Sequence, residues 1–519
     1  MLNRRQVLQG IGAAAASGAF GTRLLAQAAP LEVIVIGAGG AGLTAAKALQ
    51  AAGIGVAVLE ARDRIGGRAF TDTSLGVPWD RGCSWLHASE VNPLVPIARQ
   101  AGFELIADEY PRHVYDGSKR MSGAETAGLR SVRERITREL GEAGRRGLDI
   151  PAEAALTQAT LADPWYPMAA AGLTGWEGIE AANYSALDTY QFVEKGADLL
   201  IPRGYGTFLA AYAKDVEVRL RTPVTRIRWN GRGVAAETPA GIVSARVAIV
   251  ALPVSVITAG AVIFSPYLPV EVLQAHHDLP LGVMNKVALR FKRNVFPNES
   301  LEFMTLRRSD SRGLEYLTRM WGENFCVGLS AGRLAQELEA AGEAATIEHA
   351  LGELTTMLGG EVRRQFDRGA TTAWAGDPWS RGSYSHCLPG RFGARALLTR
   401  PVGGRLVLPA STPSRRPTAR CTAPTCPACA PRAPRVISCR EPGHEPRAVR
   451  LPAFGQRLQV PPRDESARHA LRARGNGHRL RRDAHARVSR DQPERQDPAA
   501  GRAGPRADRR EPRDHRVPG

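Results

Sequence analysis

The feature that most constrains the fold of this chain is a glycine-rich turn near its amino-terminal end. Residues 31–36 are apolar except for Glu32, and the uninterrupted part, residues 33–36, is typical of a strand buried on both faces of a parallel sheet. The chain then reads Gly37-Ala38-Gly39-Gly40-Ala41-Gly42 and continues as an alanine-rich, helix-like segment at residues 43–52. A strand, a glycine turn and a helix in this order predict a phosphate-binding unit of an α/β fold.

The glycines and the next acidic residue together predict a dinucleotide site. Gly37 permits the tight turn, Gly39 lets the backbone approach a pyrophosphate, and Gly42 lets the helix pack against the strand. The positive end of the helix then faces the phosphates. A second apolar strand, residues 55–59, ends at Glu60, where a carboxylate can accept hydrogen bonds from ribose hydroxyls. The predicted contacts are Gly37, Gly39, Gly40, Gly42 and Glu60.

The segment after Glu60 bears on which dinucleotide the site would bind. It reads Ala61-Arg62-Asp63-Arg64-Ile65-Gly66-Gly67-Arg68, a second glycine pair flanked by arginines. Backbone N–H groups and guanidinium groups in this arrangement can form a second set of hydrogen bonds to a pyrophosphate. Here the chain resembles the flavin-containing amine oxidase family, which includes monoamine, polyamine and L-amino-acid oxidases and tryptophan 2-monooxygenase. The resemblance implies FAD as the cofactor, with Ala61, Arg62 and Arg68 among its contacts.

Later segments extend the resemblance through residue 408. Residues 80–87, DRGCSWLH, are similar to a family block that lies near the flavin. Residues 204–209 resemble the segment that returns the chain to the FAD domain, and the position of Val224 implies a backbone contact with the adenine half. The implied contacts in the first block are Gly82, Ser84 and Trp85. Taken alone, Trp85 would be interpreted as a core aromatic residue.

A lysine interrupts the strand-like run of residues 279–291. From the residues alone, Lys286 is most often a solvated residue of an edge strand. The resemblance implies instead that Lys286 holds a water against the central nitrogen of the flavin, where hydride arrives and dioxygen later reacts. An ammonium group there would also stabilise negative charge that develops on oxygen.

Residues 374–384, WAGDPWSRGSY, complete the predicted site. Family members place aromatic side chains here before the face of the flavin, which implies that Trp374 contacts the substrate. Tyr384 falls where one wall of the amine-binding cage lies, which implies a role in catalysis together with Lys286. The alternative is that these are ordinary core aromatic residues. We found no metal-binding pattern in this part of the chain.

The expected fold class is α/β. The predicted architecture is a discontinuous, Rossmann-like FAD-binding domain and an α+β substrate domain. The first domain is expected at residues 31–110, 204–285 and 390–408, and the second at residues 111–203 and 286–389.

The expected reaction is FAD-dependent oxidation of an amine or an L-amino acid to the imine, with dioxygen reduced to hydrogen peroxide. Oxidative decarboxylation of the tryptophan 2-monooxygenase type is an alternative. An amino-acid substrate requires an arginine that pairs with its carboxylate. Arg81 and Arg203 are candidates, but neither can be assigned from the sequence.

The first 28 residues resemble a bacterial twin-arginine signal peptide. Arg4 and Arg5 precede a short, mildly apolar stretch, and residues 26–28 read Ala-Gln-Ala. Such a segment predicts recognition by the twin-arginine export machinery, which carries folded, cofactor-loaded proteins, and hence a periplasmic enzyme. A frayed amino-terminal segment is the alternative. No run is long and apolar enough to predict a stable membrane span.

The net charge of +18 is concentrated at the end of the chain. Residues 409–519 contain 25 Arg, no Lys and 11 acidic residues, a net charge of +14, while residues 1–408 carry only +4. A nearly neutral body argues against nucleic acid or an anionic membrane as its partner.

Residues 403–408 resemble the strand that precedes the last FAD-binding motif of the family, an Ala-Gly-Glu sequence. Residues 409–519 lack this motif. When the coding frame is shifted by one base, residues 408–413 can be read as AGEHT and residues 417–429 as YGTVHGAYLPGLR, the closing signature of the family. The sequence therefore predicts that residues 409–519 are a disordered, Arg/Pro-rich tail translated out of frame.

Three alternatives remain for this tail. They are a basic nucleic-acid arm, a disordered linker, and a metal site of Cys421, Cys426 and Cys429, whose spacing is not a paired motif. If the frame is shifted, the chain is a catalytically impaired product that lacks the last FAD-binding motif.

Overall fold

A computed structural model describes residues 31–192 and 195–408, together with the backbone of residues 447–451 and 456–460. The proposed signal peptide, the three tail cysteines and the shifted motif lie outside the described residues. The described strands are β1 Val33–Ile36, β2 Val56–Leu59, β3 Thr71–Asp72, β4 Trp79–Asp80, β5 Trp85–Leu86, β6 Ile106–Ala107, β7 Arg112–Asp116, β8 Lys119–Arg120, β9 Leu199–Leu200, β10 Val218–Arg219, β11 Arg226–Arg228, β12 Val234–Thr238, β13 Gly241–Ala245, β14 Val247–Val250, β15 Ile263–Ser265, β16 Met284–Phe291, β17 Glu302–Leu306, β18 Glu315–Thr318, β19 Phe325–Ala331, β20 Phe366–Thr371, β21 Leu406–Val407, β22 Arg447–Leu451 and β23 Gln456–Val460. The described α-helices are α1 Gly40–Ala51, α2 Leu94–Gln100, α3 Ala127–Arg145, α4 Gln158–Leu161, α5 Tyr166–Glu177, α6 Ala186–Tyr190, α7 Tyr205–Tyr212, α8 Val254–Thr258, α9 Val270–His277, α10 Gly332–Ala341, α11 Glu343–Leu358, α12 Glu361–Gln365 and α13 Ala394–Leu398.

A five-stranded parallel sheet positions the glycine turn. Its strand order is β10-β2-β1-β14-β21, and β1 pairs with β2 on one side and β14 on the other. The side chains of β1 alternate between two cores. Val33 and Val35 pack with helix α1, whereas Ile34 and Ile36 pack with residues of the four-stranded sheet β13-β12-β11-β15. Both faces are therefore covered, which explains why the strand has no polar positions.

Helix α1 begins at Gly40, three residues before the segment that the helix-like composition predicted. The first turn contains Gly40 and Gly42, and glycine is a poor helix former, so the sequence did not predict a helix at these positions. The early start places the helix amino terminus directly after the carboxyl end of β1. Phosphates bind at this position in folds of this class.

A seven-stranded sheet forms the second layer, in the order β20-β16-β19-β18-β17-β7-β8. Strand β16, which carries Lys286, is an interior strand because it pairs with β19 on one side and with β20 on the other. The interpretation of this lysine as an edge residue therefore does not hold. Strand β16 also crosses the expected domain boundary between residues 285 and 286, because its hydrogen bonds begin at Met284.

Two short strands are described within the tail. Residues Arg447–Leu451 and Gln456–Val460 form an antiparallel pair. This pairing departs from the expectation of an entirely disordered tail, and it follows aliphatic residues spaced two apart in each segment. Among the described helices, none is long and apolar enough to cross a membrane.

Candidate active site

The glycine turn forms an open cradle at the carboxyl end of β1. A Cβ atom on Gly42 would lie 1.9 Å from the carbonyl oxygen of Gly37, so helix and turn can approach only because this residue is a glycine. Gly37 has a φ of +99°, a conformation that favours glycine. A Cβ on Gly39 would meet nothing within 4 Å, and one on Gly40 would only touch Leu209 at 3.9 Å. The protein thus leaves free the space in front of Gly39.

Glu60 stabilises this cradle through its carboxylate. One oxygen accepts a hydrogen bond of 2.7 Å from the backbone N–H of Ala38, and the other accepts one of 2.9 Å from the N–H of Arg62. Each oxygen of a carboxylate can accept further bonds, so these contacts leave capacity for a ribose hydroxyl. Ala61 lies half-buried beside this group, and buried Val224 lies just before β11.

The two arginines assigned to the pyrophosphate both contact the segment of residues 374–384. Arg62 forms a bidentate ion pair with Asp377, with N–O distances of 2.9 and 2.7 Å, and donates to the Ser380 hydroxyl at 2.9 Å. Arg68 donates to the carbonyl oxygen of Ser383, and burial lowers the pKa of this guanidinium. The side chain of Arg62 therefore joins the nucleotide-binding segment to the opposite loop, a partnership that the sequence did not indicate.

Lys286 lies 4% exposed at the centre of the site. Its Nζ donates to the carbonyl oxygens of Asp80 and Gly82, at 2.9 and 2.7 Å, and to the Ser84 hydroxyl at 2.6 Å. It also lies 5.5 Å from the centre of the Trp85 ring. Burial lowers the pKa of Lys286 to about 8, and the nearby Asp80 carboxylate opposes this shift. All three ammonium hydrogens contact protein oxygens, so a water can bind the lysine only by displacing or sharing one of these contacts.

Trp374 packs against the same backbone segment. Its indole N–H donates to the carbonyl oxygen of Arg81 at 3.1 Å, and a Cβ on Gly82 would lie 3.2 Å from the indole ring. The structure therefore brings Lys286, Trp374 and residues 80–84 together.

Tyr384 contacts helix α5 rather than lying free in a cavity. Its hydroxyl donates to the carbonyl oxygen of Gly175, and burial followed by the charge of Glu177 raises the pKa of the phenol. Glu177 is itself buried and accepts a hydrogen bond from Thr189 at 2.7 Å. Burial raises the pKa of Glu177 to about 7. The sequence carried no signal for this acidic neighbour.

The residues at the carboxyl end of β1 have the chemistry that a flavin dinucleotide requires. The space in front of Gly39 is open, and the first-turn N–H groups of α1 have no intrahelical acceptors. A cleft of about 390 Å³ lies between residues of segments 64–81 and 372–377, and Arg64 and Arg81 contribute to its lining. Gly39, Glu60 and the N–H groups of α1 would hold the dinucleotide, and Lys286 and Trp374 would lie at its reactive end. No group of metal-ligating side chains occurs among the described residues.

Comparison with known proteins identifies the family. The sequence model of the flavin containing amine oxidoreductase family matches residues 41–408. The chain belongs to this family. It is accordingly an FAD-dependent oxidoreductase that acts on amines, and the predicted α/β fold, cofactor and enzyme class are confirmed.

Similar proteins are known from plants and from solved structures. The chain is 31% identical over 396 residues to Polyamine oxidase 2 of Arabidopsis thaliana, covering 69% of this chain and 79% of that protein. It is 31% identical over 407 residues to Polyamine oxidase 5 of Oryza sativa subsp. japonica, covering 73% and 82%. A solved structure of putrescine oxidase, wild type bound to putrescine, superposes with a TM-score of 0.63 at 20% identity, covering 73% of this chain and 93% of that one. This last similarity shows the fold.

Proposed function

We propose that this flavin-containing amine oxidoreductase oxidises diamines or polyamines. Its similarity to plant polyamine oxidases supports this substrate class. Bound FAD would supply a hydride acceptor for the carbon next to the amine nitrogen, which would leave the imine, and its reoxidation by dioxygen would give hydrogen peroxide. Trp374 and Tyr384 position the neutral amine, and the Lys286 ammonium stabilises negative charge that develops on oxygen.

The observation that carries the proposal is an aromatic row that leads outward from Lys286. The Trp85 and His87 rings are 6.4 Å apart, and the His87 and Trp176 rings are 5.5 Å apart. Trp176 is 55% exposed. The Asp198 carboxylate lies 2.8 Å from Nδ1 of His87. Aromatic faces and a carboxylate attract ammonium groups, so this row suits the charged distal end of a polyamine.

The two arginines that could pair with an amino-acid carboxylate both have other partners. Arg81 forms an ion pair of 2.8 Å with Asp72 and donates to the carbonyl oxygen of Thr371. Arg203 lies over the ring of Phe103, with 4.7 Å between the guanidinium carbon and the ring centre. These contacts favour an amine over an amino acid, and over the oxidative decarboxylation of an amino acid.

The substrate proposal is tested by peroxide formation with a panel of amines and L-amino acids. We expect putrescine, spermidine or spermine to be oxidised and the amino acids to be inert. Trp176→Ala should raise the KM for polyamines by roughly three- to thirtyfold without a similar effect on a short monoamine. Tyr267→Ala, which removes a different exposed aromatic ring, is the control. Turnover of amino acids in place of amines would refute the proposal.

We further propose that the enzyme is exported to the periplasm by the twin-arginine machinery. The support is the Arg4-Arg5 pair and the Ala26-Gln27-Ala28 sequence that follows the apolar stretch. Cell fractionation with amino-terminal sequencing tests this, and we expect a mature chain that begins close to residue 29. A cytoplasmic protein that retains Arg4 and Arg5 would contradict the proposal.

A further inference from the structure

A buried asparagine fixes the loop that carries Trp374 to strand β16. Asn285 is 4% exposed, and its Oδ1 accepts hydrogen bonds from the backbone N–H of Trp374 at 3.1 Å and from the Thr372 hydroxyl at 3.0 Å. Thr372 also accepts a bond of 2.8 Å from the backbone N–H of Lys286. These hydrogen bonds fix the position of residues 372–374 along strand β16.

The other end of the Asn285 amide contacts a carboxylate. Its Nδ2 donates to Oε2 of Glu339, on helix α10, at 2.7 Å. The same carboxylate accepts bonds from the backbone N–H groups of Ala375, at 3.2 Å, and Gly376. Glu339 thus holds the two residues that follow Trp374, while Asn285 holds Trp374 itself.

The strand connects this network to the lysine. Asn285 and Lys286 are neighbours on β16, so their side chains extend to opposite faces. Lys286 binds the carbonyl oxygens of Asp80 and Gly82, and the Trp374 indole binds the intervening carbonyl oxygen of Arg81. The indole and the ammonium are therefore fixed to one backbone segment, and the position of the indole depends on Asn285.

We infer that Asn285 and Glu339 are positioning residues for amine oxidation: they hold Trp374 in a fixed place relative to Lys286. This inference rests on the roles proposed above for those two residues. The amide is essential because Asn285 must accept from the loop and donate to a carboxylate at the same time. A carboxylate at this position would face Glu339, and two like charges in a buried site cannot both ionise easily.

The test exchanges the amide and the carboxylate between positions 285 and 339. Asn285→Asp should slow anaerobic flavin reduction by an amine by roughly 10- to 100-fold at high pH, because Trp374 loses its position. The rate should recover as pH falls, since a proton shared by the two carboxylates restores the hydrogen bond. Adding Glu339→Gln should restore most of the rate and remove this pH dependence. The Gln amide can donate to the new carboxylate and still accept from Gly376, so only the longer bond from Ala375 is lost.

A second readout does not need the cofactor. In a double-mutant cycle on the unfolding of the flavin-free protein, Asn285→Asp and Glu339→Gln should be strongly non-additive, with the double variant more stable than the sum of the single changes predicts. Asn298→Asp is the matched control, because Asn298 is also buried but donates to Ser300 and Thr318 instead. This control should leave the pH dependence of flavin reduction unchanged.

The outcomes separate the inference from the proposed function. A wild-type holoenzyme that no amine reduces refutes the function, and the unfolding cycle then decides the inference by itself. The inference is wrong if the cycle is additive. It is also wrong if an amine reduces the flavin of a folded Asn285→Asp variant at the wild-type rate at every pH. A rescued double variant supports it.

Discussion

At the scale of single residues, two glycines of the nucleotide-binding turn differ in the space around them. Gly42 and Gly39 belong to one sequence motif, yet only Gly42 has protein atoms close to the position that a Cβ atom would occupy. A side chain at Gly42 would collide with the backbone of Gly37, whereas a side chain at Gly39 would meet no protein atom within 4 Å. One glycine is therefore needed for folding and the other for the ligand.

This difference predicts opposite phenotypes for two alanine variants. Gly42→Ala should destabilise the flavin-free protein by about 1–3 kcal/mol, because the helix must move away from the turn. Gly39→Ala should leave that stability nearly unchanged but weaken FAD binding, because its methyl group occupies the space of the cofactor. Thermal unfolding and FAD titration measure the two effects. Equal loss of stability in both variants would contradict the assignment.

Lys286 predicts the pH dependence of the reaction with dioxygen. Its pKa of about 8 means that the ammonium charge is present below this pH and is lost as pH rises through it. If this charge assists oxygen reduction, reoxidation of the reduced flavin should slow above pH 8. Lys286→Met should be slower by on the order of 100-fold and should show no such transition.

Stopped-flow mixing of the reduced enzyme with oxygenated buffer measures these rates. Lys47→Met provides a matched control, since Lys47 lies on helix α1 and donates to the carbonyl oxygen of Tyr212. A rate for Lys286→Met equal to that of the wild type would exclude this role for the lysine.

At the scale of elements, the sequence predicted the parallel sheet well and the loop contacts poorly. The run of residues 33–36 indicated a doubly covered strand because burial on both faces removes all polar positions. In contrast, Glu339 lies on an ordinary amphipathic helix, and nothing in its sequence distinguishes it from a solvated glutamate. Its role depends on backbone N–H groups of a distant loop, and a local pattern does not record such long-range contacts.

A buried ion pair connects two helices that lie far apart in the sequence. Asp188 on α6 and Arg395 on α13 are 2% and 1% exposed, and their closest N–O distance is 2.9 Å. Arg395 also donates to the hydroxyl of Ser385, next to Tyr384. The pair therefore links the chain segment before residue 204 to the last described helix.

Removing only the cation should leave the charge of the buried Asp188 carboxylate uncompensated by Arg395. Arg395→Met is expected to reduce the free energy of unfolding by about 3–5 kcal/mol. Replacing both partners, with Asp188→Leu and Arg395→Met, should restore much of this loss, because no uncompensated charge remains. Denaturant unfolding of the three variants measures the effect. A double variant less stable than Arg395→Met would contradict this account.

At the scale of the whole molecule, the charge of the chain and its chemistry belong to different parts. The family match ends at residue 408, where the arginine-rich tail begins. The out-of-frame origin of residues 409–519 remains a prediction from the coding pattern. The sequence could identify the family because its motifs lie before this point, and it could not identify the substrate, which depends on side chains brought together from several segments.

The frame hypothesis predicts a difference in cofactor affinity. A gene with the one-base change that restores AGEHT after Leu408 should give a protein that purifies with stoichiometric FAD. The 519-residue chain should bind FAD more weakly, because it lacks the motif that the family uses for the last part of the cofactor. Flavin absorbance per protein measures both, and equal stoichiometry in the two proteins would contradict the hypothesis.

The central proposal is that this flavin-containing amine oxidoreductase uses diamines or polyamines as substrates. Its most direct test is anaerobic addition of spermidine to the FAD-loaded protein while the visible absorbance of the flavin is recorded. We predict that the flavin is bleached, and that its absorbance returns with release of hydrogen peroxide when oxygen is admitted. A protein that binds FAD stoichiometrically but is not bleached by spermidine, spermine or putrescine would contradict the account.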